Sequence, residues 1–129
     1  MSVSPEFKNY ILDQFAGLGD LAVKKMFGGF GIWCDFLFFA ILIDDTLYLK
    51  GDLASKAEYI KNGMAPFRVK KRKGQVKQYD MNYFSVPTDI LENRSELRQW
   101  GQKALNIAAA NKKTNRIARN RLEKRKLSL

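Results

Sequence analysis

The sequence predicts a single α+β domain of two layers. We expect an antiparallel sheet of about five strands, a meander followed by a hairpin, packed with N-terminal, middle and C-terminal helices. The stretch from Lys25 to Lys50 is rich in apolar residues and is divided by short turn-forming segments, as strands of one meander are. The flanking segments instead carry apolar residues at helical spacing. A chain of 129 residues has room for one such core and not for two.

The first predicted helix follows Ser4, which can cap it, with proline at the first helical position and glutamate near the positive end. Phe7, Ile11 and Phe15 then recur at four-residue steps, which indicates an amphipathic packing helix. Gly17 and the residues just after it end the helix. A short link leads from there into the central stretch.

Three strands are predicted in the central stretch. In the first, Trp33 falls on the face opposite to Ile32 and Cys34, and an aspartate then marks a turn. Residues 36–43 are apolar at every position, which is typical of a strand covered on both faces or central in a small sheet. An Asp-Asp-Thr turn leads into the third strand at 47–49.

A middle helix and two more strands complete the predicted sheet. The helix covers 53–61, with Leu53, Ala57 and Ile60 at helical spacing, and ends at Asn62-Gly63. The strands cover 67–71 and 76–86 and are joined by a turn at Lys73-Gly74.

Two helical segments are predicted at the C-terminal end. Thr88 can cap a short helical turn, and Asn93 or Ser95 can cap a last helix. The apolar stripe of that helix consists of Leu97, Trp100, Ala104, Leu105 and Ala108. Helix-favouring residues continue beyond it without Gly or Pro, so we expect residues 1–110 to form the domain and 111–129 a basic helical tail.

Charge is concentrated in that tail. The whole chain has 23 Lys and Arg against 13 Asp and Glu, a net charge of +10. Nine of the basic residues lie at 103–129, where Glu123 is the only acidic residue. Like charges this close repel one another, and an anionic partner relieves the repulsion. A solvated tail without a partner is the alternative.

A second basic cluster lies on the predicted hairpin at 67–86, where lysines can also serve simply to protect an exposed strand edge. Together the two clusters are the candidate nucleic-acid contacts. They are Lys112, Lys113, Arg116, Arg119, Arg121, Lys124, Arg125 and Lys126 in the tail, and Arg68, Lys70, Lys71, Arg72 and Lys73 in the hairpin.

The residue types argue against an enzyme. The chain has no histidine, which removes the commonest general base and metal ligand, and a single cysteine, Cys34, which cannot form an internal disulfide. Asp44 and Asp45 are adjacent at a hairpin tip, where acidic residues usually form turns. The glycines at 28–31 match neither dinucleotide nor P-loop patterns and lead into a strand, so a bulge or tight entry into it is the better interpretation. We predict no catalytic residue, no metal site and no cofactor.

Neither a signal peptide nor a membrane span is predicted. Charged residues interrupt the first 25 positions, and the apolar run at 36–43 is far shorter than the roughly 18–20 residues that span a bilayer. With one cysteine as well, the sequence predicts a cytoplasmic protein without membrane partners.

Five blocks in a fixed order resemble the N-terminal domain of the TfoX/Sxy family of competence regulators. They are MFGGFGIWCD, FFAILIDDTLYLKGD, GMAPF, the strand from Tyr79 to Pro87, and LRQWGQKAL, and the resemblance covers roughly residues 15–110. It implies an antiparallel sheet backed by helices, no catalytic residues, and a role as a transcriptional co-regulator of DNA-uptake genes. The positions that carry the family motif are Met26, Phe27, Gly28, Gly29, Gly31, Asp35, Leu47, Tyr48, Leu49 and Lys50.

The sequence departs from the family in two places. Phe36 and Leu37 stand where the resemblance leads us to expect a glycine in the turn. Full-length members resemble two-domain proteins with a second helical domain, and here a basic tail follows instead. We therefore expect contacts with nucleic acid or with a protein such as a transcription factor. The alternative is a protein-interaction or homodimerisation module that docks through Ile117, Ala118 and Leu122 and has no nucleic-acid role.

Overall fold

The computed structural model describes residues 3–26, 28–70 and 78–127, with side chains described except at 68–70, 78–81 and 113–127. The described chain forms six strands and four helices. In chain order these are α1 (Pro5–Gln14), β1 (Leu21–Met26), β2 (Gly29–Cys34), β3 (Leu37–Ile43), β4 (Thr46–Lys50), α2 (Lys56–Lys61), β5 (Pro66–Lys70), β6 (Gln78–Ser85), α3 (Thr88–Glu92) and α4 (Arg94–Leu127).

The predicted α+β class and the meander followed by a hairpin are confirmed. All neighbouring strands are antiparallel, in the order β1-β2-β3-β4-β6-β5. The first four strands form the meander, and the β5–β6 hairpin joins it because β6 pairs with β4. This arrangement makes β3 central and leaves β1 and β5 at the two edges.

One strand was not expected from the sequence. β1 occupies the segment predicted to be a link, and its register pairs Leu21 with Cys34 and Met26 with Gly29. Lys25 stands at a position on the same side as Leu21 and Val23, so the apolar alternation ends after two residues. An exposed lysine is tolerated there because β1 is an edge strand and the side chain can reach water.

The helices cover one face of the sheet. Ile11 and Phe15 at the end of α1 are fully buried, and the Phe15 ring meets Phe39 of β3 edge to face at 5.3 Å. The apolar stripe predicted for the last helix is also confirmed, since Leu97, Ala104, Leu105 and Ala108 are buried and Trp100 packs against them. In the described part of the chain, no helix is both long and apolar enough to cross a membrane.

The middle helix is shorter than predicted and buries a different side chain. The Asp52 carboxylate accepts hydrogen bonds from the Ser55 backbone N–H at 2.8 Å and hydroxyl at 2.6 Å, which holds the segment before α2 in a turn. The predicted stripe is wrong because Leu53, Ala57 and Ile60 are exposed. Tyr59 is buried instead, stacked on Phe84 at 4.8 Å, and its hydroxyl donates to the Lys50 carbonyl oxygen at 2.8 Å.

The helix caps follow the sequence closely. Ser4 Oγ accepts from the Phe7 N–H at 3.2 Å, as predicted for α1. Asn93, rather than Ser95, caps α4, since its side-chain oxygen accepts from the Glu96 N–H at 3.1 Å. Thr88 lies inside α3 as its first residue instead of capping it.

Both two-residue turns of the central meander use left-handed backbone. Asp44 and Asp45 have φ of 50° and 51°, and Asp35 and Phe36 have φ of 49° and 66°. Aspartate tolerates this conformation, but a bulky side chain is strained by it. The glycine expected at this turn would remove the strain at Phe36. The hairpin keeps its shape because Asp35 Oδ1 accepts from the Asp20 N–H and the Asp35 N–H donates to the Asp20 carbonyl, both at 2.9 Å.

The glycines at 28–31 serve strand packing. Gly28 has φ of 76° in the turn between β1 and β2, which fits the predicted tight entry into a strand. A Cβ on Gly29 would lie 1.9 Å from the Leu42 carbonyl oxygen, and one on Gly31 would lie 2.4 Å from Met26 Sδ. The strand backbone and neighbouring side chains therefore occupy the space that a larger residue would need. Phe27, the motif residue just before these glycines, falls outside the described residues.

Candidate functional site

The basic tail is continuous with α4, whose backbone is helical as far as Leu127. Among the described side chains, Ala108 is the last buried one on this helix, and residues 109–112 are exposed. Lys112 is therefore on the surface, while the other seven tail candidates lie on the helical backbone at positions where side chains are not described. At about 1.5 Å per residue, the segment from Lys112 to Lys126 spans about 21 Å of helix.

The second predicted cluster is only partly within the described chain. Arg68 and Lys70 lie on β5, the edge strand farthest from β1, in register with Asp80 and Gln78 of β6. Lys71, Arg72 and Lys73 fall outside the described residues. The tail and this cluster belong to different elements, and no described contact joins them.

A third surface was not anticipated as a site. On the side of the sheet away from the helices, aromatic rings lie next to one another across the strands. Trp33 stacks on Phe38 at 4.6 Å, Phe38 meets Tyr83 at 5.8 Å, and Tyr48 meets Phe67 edge to face at 4.9 Å. We call this side the open face; it includes Ala22, Lys24, Met26, Trp33, Phe38, Ile41, Tyr48, Lys50, Phe67 and Tyr83.

Strand register assembles the open face. β2 and β3 pair Trp33 with Phe38 across a bulge that leaves Phe39 directed to the core, so two neighbouring phenylalanines serve opposite faces. Gly31 provides room for the cluster, because a Cβ there would lie 2.9 Å from both the Phe38 and Trp33 rings. Ile41, in register with Gly31, is only 6% exposed and belongs to the open face.

Two lysines lie over rings of the open face. Lys24 Nζ is 5.6 Å from the Trp33 ring centre, and Lys50 Nζ is 5.2 Å from that of Tyr83. Burial lowers the pKa of the Lys50 ammonium. Burial also raises the pKa of Tyr83 to about 12, so its hydroxyl is neutral at physiological pH. The open face thus carries aromatic rings, a neutral hydroxyl and cations.

A groove of about 350 Å³ continues the open face towards its β1 edge. Phe36 stands beside it at the tip of the β2–β3 turn, with 86% of its surface exposed. The residues that line the groove are Asp20, Leu21, Ala22, Lys24, Trp33 and Phe36.

The sequence held one signal for this surface. Residues 36–43 are apolar throughout, a pattern that predicts a strand covered on both faces or central in the sheet. β3 is central, and its second apolar face forms part of the open face. The sequence could not show that rings from β2, β4, β5 and β6 join it, because these contacts depend on register between distant segments.

The residues considered for catalysis are a buried cysteine and two aspartates at a turn. Cys34 is 1% exposed, and burial together with Asp35 and Asp20 raises the pKa of its thiol. Asp45 Oδ1 accepts from the Ser4 N–H at 2.7 Å, and the Asp44 carbonyl accepts from the Thr46 hydroxyl at 3.3 Å. Over the described ranges, no group of three or more Cys, Asp or Glu residues is placed to hold a metal ion.

The chain was compared with known proteins. A search of curated proteins found no match. The family model described as the TfoX N-terminal domain matches residues 13–108, which spans the sequence from the end of α1 to the last buried turn of α4. The match covers most of the chain, and the protein therefore belongs to the TfoX N-terminal domain family.

Proposed function

We propose that this protein is a non-enzymatic, cytoplasmic regulator of the competence or transcription type, which acts by contacting nucleic acid and a protein partner such as a transcription factor. Family membership supports the regulatory role. The charge distribution carries the nucleic-acid part, because seven of the ten excess positive charges of the chain lie in the tail at 111–129. The basic tail supplies electrostatic affinity, and the sheet domain supplies the structured body.

The proposal predicts a particular salt dependence. Each phosphate neutralised on duplex DNA releases condensed counterions, so the logarithm of the association constant falls with the logarithm of salt concentration by about 0.9 per phosphate. A helical tail with cations spread over about 21 Å can contact several phosphates at once. Removing these charges should weaken binding and flatten the salt slope together.

The test uses the full chain with a neutral tail, because glutamine favours helix nearly as well as Lys and Arg. The neutral-tail variant combines Lys112→Gln, Lys113→Gln, Arg116→Gln, Arg119→Gln, Arg121→Gln, Lys124→Gln, Arg125→Gln and Lys126→Gln. Labelled duplex DNA is titrated with both proteins at several salt concentrations. We expect weaker binding and a slope shallower by about 0.9 for each phosphate that the variant no longer neutralises.

A hairpin variant provides the matched comparison. It combines Arg68→Gln, Lys70→Gln, Lys71→Gln, Arg72→Gln and Lys73→Gln in a chain with the native tail. A loss of affinity confined to the neutral-tail variant assigns binding to the tail, and a loss in both assigns it to the two clusters together. Equal affinity and equal slope for native and neutral-tail protein would contradict the nucleic-acid part of the proposal.

The exposure of Phe36 favours a second candidate, a protein-interaction or self-association module. A large aromatic side chain at 86% exposure beside an apolar groove is a typical protein contact. Ile117, Ala118 and Leu122 are the tail positions that would dock on a partner or on a second copy. Sedimentation of native protein and of the variant Ile117→Gln/Leu122→Gln over a range of concentrations tests self-association. A monomer mass in every case removes the homodimer.

A further inference from the structure

We propose that the open face of the sheet binds single-stranded nucleic acid, with bases stacking on its rings and Lys24 and Lys50 contacting phosphates. The choice of nucleic acid rests on the proposed function, but the site is separate from the tail and recognises a different form of the polymer. The aromatic cluster, the placement of the two lysines and the charge composition of the strands support it.

The first support is that the open face is apolar without a covering element among the described helices. All four helices contribute buried residues to the core on the opposite side, where Ile11, Tyr59, Ile90 and Leu97 lie. An antiparallel sheet with one covered face normally presents polar side chains to water on the other. Here Trp33 and its neighbouring rings take that place, which is typical of a binding surface.

The second support is charge. Strands β1 to β4 contain no aspartate or glutamate, and two of their three lysines, Lys24 and Lys50, lie on the open face. Lys50 is partly buried, its pKa is lowered by burial, and its described contact is the Tyr83 ring rather than a carboxylate. Lys24 is similarly placed over Trp33. A polyanion with flat aromatic groups complements such a face.

These charges argue against a second copy of the chain as the occupant. Packing two open faces together would bring Lys24 and Lys50 of both copies into one apolar interface, where the strands β1 to β4 and the residues lining the groove supply a single carboxylate from each copy, that of Asp20. Burying unpaired ammonium groups is unfavourable, so the same face that suits a polyanion resists self-association. Duplex DNA is also a poor fit, because its bases are already stacked on one another and cannot cover the rings.

The lysines can exchange partners when nucleic acid binds. A base stacked on an aromatic ring is held more strongly than an ammonium over a ring at an exposed site. A base can therefore take the position of Lys24 above Trp33, or of Lys50 above Tyr83, and the released ammonium is then free to contact an adjacent phosphate. Positive charge and stacking thus act together at each ring.

The test measures binding of a labelled oligo-dT of about 12 nucleotides, within the range of site sizes of single-strand-binding folds. The open-face variants are Lys24→Gln/Lys50→Gln and Trp33→Leu. The matched control is Lys103→Gln, since Lys103 Nζ also lies over aromatic rings, 5.9 Å from Tyr59 and 5.7 Å from Trp100, but on the helix side of the sheet. We expect roughly ten-fold or greater weakening from Trp33→Leu, several-fold weakening from the double lysine variant, and little change in the control.

A spectroscopic measurement checks stacking directly. The sequence contains two tryptophans, so Trp100→Phe leaves Trp33 as the only one. Saturation with oligo-dT should quench its emission, whereas a duplex of the same length should not. Unchanged emission at saturation would overturn the inference, and this readout does not depend on whether Trp33→Leu folds.

Measurements in the native and neutral-tail chains separate the two proposals. If open-face variants lose oligo-dT binding in both backgrounds, the inference holds whatever the tail does to duplex DNA. If single-strand binding follows the tail alone and ignores Lys24 and Lys50, the inference fails while the proposed function survives. The inference would also be overturned if the open face bound no oligo-dT and instead formed dimers or bound a protein partner.

Discussion

The two faces of the sheet are built from the same kinds of residue and differ in what lies on them. On the covered face, where the helices pack, Phe15 meets Phe39 at 5.3 Å and Tyr59 stacks on Phe84 at 4.8 Å. On the open face, Trp33 stacks on Phe38 at a similar 4.6 Å and remains partly exposed. The similarity of the ring contacts shows that aromatic clustering alone does not distinguish a core from a surface available for binding.

The largest expected difference between the faces is in the unfolding free energy that is lost when a phenylalanine is truncated. Phe38 and Phe39 are adjacent on β3 but serve opposite faces, which makes them a matched pair. We expect Phe39→Ala to lower the free energy of unfolding by about 3–5 kcal/mol, because it leaves a cavity in a fully buried site. Phe38→Ala should cost on the order of 1–2 kcal/mol, since a partly exposed ring removes less apolar area from water.

Urea unfolding measures both losses of stability, provided that the slope of the unfolding free energy against urea concentration is the same in each variant as in the native protein. Equal losses of stability for the two substitutions would mean that the open face is as much a part of the folded core as the covered face. That outcome would remove the distinction on which a free binding surface depends.

One tyrosine on each face has a raised pKa, so the two faces can also be compared by the pH dependence of stability. Burial raises the pKa of Tyr83 on the open face to about 12, and burial with help from Asp52 and Glu58 raises that of Tyr59 on the covered face well above its usual range. A raised folded-state pKa means that the native state holds its proton more tightly than the unfolded state. Its contribution to stability is complete below the ordinary pKa of 10 and is lost as pH rises towards 12 and beyond.

Tyrosinate absorbance should therefore show Tyr83 ionising before Tyr59. Tyr83→Phe should remove the earlier step and reduce the loss of unfolding free energy between about pH 10 and about pH 12. Tyr59→Phe should remove the later step and also lose the hydrogen bond to the Lys50 carbonyl. Ionisation of both residues near pH 10 would contradict the difference in burial.

The smallest expected effect concerns the turn at the edge of the open face. Phe36→Gly should raise the free energy of unfolding by up to about 1 kcal/mol, because glycine adopts a φ of 66° without strain. Phe36→Ala removes the same ring but keeps the strained conformation, so it should bring no such gain. If both variants are equally stable, the left-handed turn does not strain Phe36.

Much of the covered face was predictable because helices and strands there follow local rules. The stripe from Leu97 to Ala108 has helical spacing, and Ser4 has the hydrogen-bonding side chain that a helix start needs. β1 was missed because Lys25 breaks the apolar alternation at an edge where it can reach water. The middle helix was misassigned because Asp52 and Ser55 form a turn before it, and Tyr59 rather than the apolar stripe is buried.

The two candidate surfaces, the basic tail and the open face, also differ in how far the sequence reveals them. Cationic residues in the tail are visible directly in the sequence, and the helical backbone through Leu127 agrees with the helix expected there. The open face was visible only as an apolar run in β3. Trp33, Phe38 and Tyr83 come from three strands, and nothing in their sequence spacing indicates that their rings meet.

The sequence by itself determined the α+β class, the meander and hairpin, the family and the charged tail, because these follow from periodicity, turn chemistry, motif order and composition. Tertiary structure decided which side of each strand the helices cover, and with it which aromatic residues became core and which became the open face. That choice depends on strand register and on the packing of distant helices, since a one-residue shift moves every side chain to the opposite face. Phe38 and Phe39 are the simplest case, because strand alternation directs two identical neighbours to opposite faces and the bulge decides which of them enters the core.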